Sequence, residues 1–141
     1  MKTMLLDDGD LAIGTSNDYQ MISDVSKTRQ DIRCALLEHL GNDRFHPGWG
    51  STLEDSIGVP LTDAVRSGIY SEVNRVIGNY AAVQRDKIES AMISGEDSQY
   101  STDEVLSAVT GVNVDQNLDS LSIQVGLRAL SGSTTSLSEV L

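Results

Sequence analysis

The chain has 141 residues, a formal net charge of −11 and a single cysteine. This length predicts one domain that can bury a core without disulfides or metals, and one cysteine excludes an intramolecular disulfide. The acidic balance disfavours binding to nucleic acid, and no apolar run is long enough to predict a membrane span or a secretory signal. We therefore expect a protein kept in a cytoplasm, or in a particle assembled there, with basic rather than acidic partners.

Short strands are predicted at the N-terminus. Residues 3–6 and 10–14 lie on either side of Asp7-Asp8-Gly9, which is a good turn sequence. The first amphipathic helix is then predicted from about Ser23 to Leu40. Its polar face is expected to carry Lys27, Gln30, Asp31 and Arg33.

A second amphipathic helix is predicted from about 62 to 82, with Thr62 as its N-cap. The segment 84–93 fits either a helix or a strand. Ser101 and Glu104 have capping-box spacing, which predicts a short helix over 102–109.

Strict alternation predicts a strand over 120–129, after a turn at 115–117. Residues 131–141 are small and mostly polar, and they read as a tail outside a domain of residues 1–130. The predicted fold class is α+β, with a small antiparallel sheet of N- and C-terminal strands packed on two main amphipathic helices.

The segment 45–53, FHPGWGSTL, concentrates rare residues, including the only Trp and the only Phe. Proline fixes one backbone angle and glycine permits positive φ values, so a tight corner is expected between the two helices. In this interpretation the Trp49 ring is a buried plug at the end of the core. A ligand pocket is the alternative. The predicted corner residues are Pro47, Gly48, Trp49, Gly50 and Leu53.

A metal site is not predicted, although four possible ligands lie nearby: Cys34, Glu38, His39 and His46. Zinc sites usually show close ligand pairs such as CxxC or HxxxH, and the two His are seven residues apart. Cys34 is expected to be buried or half-buried, with His39 flanking the core. No cofactor is predicted either, because no nucleotide-binding glycine loop is present.

Carboxylates around the Trp loop allow an enzymatic alternative, since glycosidases use two such groups. The acids concerned are Glu38, Asp43, Glu54 and Asp55. Each also fits a structural position on a helix or near a helix end. A small peptidoglycan-cleaving enzyme that uses Glu38 is therefore kept as the alternative hypothesis, and a non-enzyme is favoured.

The order of the motifs resembles a known family. A Gly9-Asp10-Leu11 strand, Gln20, the helix end at Leu37, Leu40 and Gly41, and the Pro47–Leu53 corner follow one another. Over roughly residues 5–130 this is similar to the baseplate wedge proteins of contractile phage tails, a family also called lysozyme-like or sheath-initiator proteins. The chain departs from the family at its Glu-Pro-Arg motif, where only Arg85 matches, and Asn42 replaces the usual Glu after Gly41.

The resemblance implies a structural virion protein without enzymatic activity. Such a protein lies in the inner ring of the tail baseplate, in six expected copies, and is assembled in the host bacterial cytoplasm. It contacts wedge proteins and the first ring of the tail sheath, with which it exchanges strands. The tail tube is a further expected partner. No nucleic acid or membrane partner is expected. The residues predicted to bind partners are Arg85, Leu127, Leu130, Leu137, Val140 and Leu141.

Overall fold

The computed structural model describes residues 1–117 and 120–141. Its helices are α1 at Asp24–Leu37 and α2 at Asp63–Ser94, with a short 3₁₀ helix at Leu53–Ser56 between them. The strands are β1 Thr3–Met4, β2 Leu6–Asp7, β3 Asp10–Leu11, β4 Met21–Ile22, β5 Leu106–Asn117, β6 Ser120–Ala129 and β7 Thr134–Val140.

All the strand pairs are antiparallel. Strand β1 pairs with β4, β2 pairs with β3, and β5, β6 and β7 form a three-stranded sheet in that order. The predicted α+β class is therefore confirmed, with the N-terminal and C-terminal strands in separate sheets.

The core lies between the two helices and the three-stranded sheet. Strand β6 alternates as predicted, because every second side chain points at the helices. Both helices contribute one apolar face. The largest apolar side chains that are almost fully enclosed are Ile32, Leu53, Ile69, Ile77, Leu121, Leu127 and Leu137.

The ends of the helices follow local chemistry only in part. The side chain of Thr62 accepts a hydrogen bond from the Val65 N–H at 3.3 Å, so the predicted N-cap of α2 is confirmed. Helix α2 continues through 84–93 and ends at Gly95, whose φ of 73° is left-handed. Helix α1 ends at Leu37, three residues before the predicted end.

The short helix predicted over 102–109 is wrong. Residues 102–104 form a turn, and β5 begins at Leu106. The backbone carbonyl of Glu104 accepts hydrogen bonds from Thr28 at 2.7 Å and Gln84 at 2.9 Å. These two hydrogen bonds occupy the Glu104 carbonyl with partners from α1 and α2. The capping interaction expected from Ser101 and Glu104 therefore does not start a helix.

The turn predicted at 115–117 is also displaced, because β5 extends to Asn117 and pairs with β6 there. The separate tail predicted at 131–141 needs the same correction. Residues 134–140 form β7, and the Leu137 side chain is 1% exposed in the core. The boundary drawn at residue 130 therefore falls inside one sheet.

Candidate functional site: the corner, its groove and the sheet edge

The corner depends on Gly50. Its φ is 99°, and a Cβ added there would lie 2.7 Å from the backbone carbonyl oxygen of Glu38. Glycine therefore lets the loop approach the end of α1. Ser51 completes the join, since its N–H donates to the same Glu38 carbonyl at 2.7 Å and its carbonyl accepts from the Leu40 N–H at 2.9 Å. This pairing ends α1 early.

An ion pair on α2 holds the other side of the corner. The Arg75 guanidinium donates to the Glu72 carboxylate at 2.6 and 2.7 Å and to the Gly50 carbonyl at 2.8 Å. The same carboxylate accepts from the Thr52 N–H at 2.8 Å. These bonds, led by those from Arg75, lower the pKa of Glu72. The corner is thus fixed to α2 by charge-assisted hydrogen bonds.

Trp49 is half-buried rather than enclosed, so the buried plug is wrong in degree. The ring packs against the edge of the core and also lines a groove of about 660 Å³. This groove runs between α1, α2 and the corner. Its lining residues include Asp31, Cys34, Asp43, Tyr80, Val83 and Lys87. Pro47 and Gly48 are exposed, and Leu53 is buried under the corner.

The acids singled out in the sequence do not gather in this groove. Of the four, only Asp43 lines the groove, and Glu38 does not. The Asp43 carboxylate is hydrogen-bonded to the His46 ring at 2.9 Å, and this bond lowers the pKa of Asp43. Glu54 and Asp55 are exposed on the 3₁₀ helix. Among the residues that the structure describes, no three His, Cys, Asp or Glu side chains are grouped to hold a metal ion.

Cys34 is exposed on α1, which corrects the expected burial. The opposite correction applies to Lys27, which the helical pattern assigned to the polar face. Lys27 is 6% exposed, and its ammonium group lies 2.5 Å from Asp31 and 3.3 Å from Glu104. The Tyr80 hydroxyl donates to Asp31 at 2.9 Å.

Sequence reasoning missed this buried charge cluster. The one signal for it was the i, i+4 spacing of Lys27 and Asp31, which equally fits an exposed pair. Glu104 is fully buried, and its second carboxylate oxygen lies 2.9 Å from the amino group of Met1. The cluster links α1 to the turn before β5, and its members Lys27, Asp31 and Tyr80 also line the groove.

The two edges of the C-terminal sheet differ. On the β5 edge, Arg66 donates to the Val114 carbonyl at 2.9 Å, and the Gln116 side chain bonds to the backbone of Leu61 and Val59. Among residues 1–117 and 120–141, none covers the β7 edge in this way. In the part of the chain that the structure describes, the backbone of 134–140 makes no hydrogen bond except those to β6.

The register shows which groups face outward on β7. Leu121 and Leu141 exchange both backbone hydrogen bonds, so the hydrogen-bonded pairs recur at every second residue. Ser136 and Ser138 lie between those pairs, opposite Gly126 and Gln124. Their N–H and C=O groups therefore point away from β6.

The residues predicted to bind partners divide into two groups. Leu127 and Leu137 are each 1% exposed, so their side chains belong to the core of this chain. Leu141 packs against the core. Arg85, Leu130 and Val140 are exposed and open to contact.

No protein-family model matches the chain, and no curated protein matches it in sequence. Within residues 1–117 and 120–141, no helix combines the length and the apolar character needed to cross a membrane.

Proposed function

We propose that this protein is a structural subunit of a contractile-tail baseplate that initiates the sheath. Six copies would surround the end of the tail tube, bind wedge proteins and pair strands with the first ring of sheath subunits. The bare edge of β7 is the observation that carries this proposal, together with the resemblance of the corner motif to the baseplate family.

The chemistry of the β7 edge supports strand addition. Native proteins usually protect an edge with Lys, Pro, a bulge or a covering element. Strand β7, TTSLSEV, has neither Lys nor Pro, its register with β6 is regular, and its one charge, Glu139, pairs with Arg33 at 2.6 Å. An added strand would gain affinity from backbone hydrogen bonds and register from alternate side chains.

A proline at position 136 tests this role without removing a native hydrogen bond. The Ser136 N–H faces the free edge, so Ser136→Pro should leave the fold intact while it blocks an incoming strand. Tube, sheath and wedge proteins from the same genome would be coexpressed with each variant. Negative-stain electron microscopy should then show baseplates with tubes but without sheath.

Ser136→Thr is the matched control, because it changes the same side chain and keeps the N–H. Particles with this variant should carry normal sheaths. Circular dichroism must show that both variants keep the wild-type melting temperature within a few degrees. Normal sheaths on Ser136→Pro particles would refute the strand-pairing role.

A further inference from the structure

The N-terminal strands carry apolar side chains on both of their faces. Leu5 and Ile22 are half-buried, and both line a cleft that residues of α1 also line. The opposite side is also apolar. Met4 lies directly across from Met21, and Ile13 lies across from Tyr19.

Alternation along the strands places these side chains on one surface, because residues two apart point the same way. Leu11 and Ile13 are two apart, as are Tyr19 and Met21. Their exposed fractions range from 41% for Leu11 to 62% for Ile13. We call this surface the outer N-terminal face: Met4, Leu11, Ile13, Tyr19 and Met21.

A sheet with one wet face normally alternates apolar and polar side chains, so an apolar outer face needs a reason. The packing within these strands does not provide that reason. No residue in 1–22 is buried, and each strand there has two residues. Gln30 of α1 holds them by hydrogen bonds to the Leu6 N–H at 2.8 Å and the Met4 carbonyl at 2.9 Å. Two-stranded units of this size are marginal alone.

Acidic residues accompany the outer N-terminal face. Residues 1–22 contain four Asp, at 7, 8, 10 and 18, against one Lys. All four Asp are exposed, and they lie in or beside the turns that connect the strands. A second copy of the chain would bring the same acids together, which costs free energy when the net charge is already −11.

We propose that the outer N-terminal face docks a protein segment whose apolar side chains are flanked by Lys or Arg. The apolar centre supplies the buried contact, and the four acids select the partner and speed its approach. This site is separate from the β7 edge and does not rest on the sheath-initiating role.

Peptide selection on the immobilised full-length chain tests the proposal. The probe is a phage-displayed library of random 12-residue peptides, and selected peptides would be measured by calorimetry. Enriched peptides should combine apolar residues with Lys or Arg. Their affinity should fall at least about tenfold for Ile13→Ser/Tyr19→Ser, as expected when two central contacts are lost. It should also fall with added salt.

The matched control is Met92→Ser/Ile93→Ser, which removes two side chains that are 73% and 80% exposed at the end of α2. This variant should bind the peptides as wild type does. The proposal is overturned if no peptide is enriched, if the peptides lack basic residues, or if Ile13→Ser/Tyr19→Ser binds equally well. Two further results would overturn it: a wild-type dimer in sedimentation, or wild-type binding to phosphatidylcholine vesicles, if Ile13→Ser/Tyr19→Ser abolishes either one.

Discussion

At the scale of single residues, the two glycines of the corner have different roles despite their similar place in the sequence. Gly50 is buried, with a φ of 99° and the Glu38 carbonyl where a Cβ would lie. Gly48 is exposed and has nothing within 4 Å of an added Cβ. The motif gives no means of telling them apart, because both glycines flank the same Trp.

Gly50→Ala should destabilise the protein by more than about 2 kcal/mol, since it combines a left-handed backbone with a collision against backbone atoms. Urea unfolding followed by circular dichroism measures this loss. Gly48→Ala is the control and should change the free energy of unfolding by less than about 1 kcal/mol. Equal losses for the two variants would contradict the role given to Gly50.

At the scale of elements, the corner is joined to α2 by the Glu72–Arg75 pair. The pKa of Glu72 lies below its usual 4.5 in the folded protein, first because Arg75 donates to the carboxylate. As the pH falls, the unfolded chain takes up a proton at Glu72 before the folded protein does. The pair therefore contributes its full stabilisation above pH 4.5. The contribution is lost as the pH falls through the lowered pKa.

Glu72→Gln should therefore cost about 1–2 kcal/mol at pH 6, a value reduced by partial solvent screening. The difference from wild type should shrink as the pH is lowered from 5 towards 3, because protonation removes the same charge from the native side chain. Unfolding free energies at each pH measure it. Glu89→Gln, on the exposed face of α2, is the control and should show no difference. A gap that stays constant with pH would contradict the assignment.

At the scale of the whole molecule, β7 is part of the folded domain and is also the open edge strand of the C-terminal sheet. Its Leu137 side chain fills the core beneath α1 and α2, while Val140 is 66% exposed. Removing the C-terminal residues therefore cannot separate strand pairing from folding. This is why the sheath experiment uses a substitution at the edge.

Deletion of residues 134–141 should abolish cooperative thermal unfolding, because it exposes one side of β6 and leaves a cavity in the core. Leu137→Ala alone should cost about 2–5 kcal/mol. Val140→Ala should change stability by less than about 0.5 kcal/mol, as expected for an exposed side chain. Calorimetry compares the three. If the truncated chain melts as wild type does, residues 134–141 are not part of the folded domain and the predicted separate tail is supported.

Much of this fold was predictable wherever the deciding interaction is local. The cap at Thr62 and the alternation of 120–129 depend on residues close in sequence, and both are confirmed. The helical period likewise located α1 and most of α2. The sequence also indicated a glycine-dependent corner at 47–53, although it overstated the burial of Trp49.

The sequence by itself thus determined the two main helices, strand β6 and the α+β class, because capping and hydrophobic period act over a few residues. Tertiary structure alone decided that Lys27 lies inside, that Glu104 turns the chain into β5, and that β7 closes one side of the core. Those outcomes depend on contacts between elements that are distant in the sequence, such as Thr28 of α1 with Glu104 and α1 with β7. Which side chains are buried, which ions pair and which strand lies at an edge all depend on how the elements pack together. A local sequence pattern does not specify that packing.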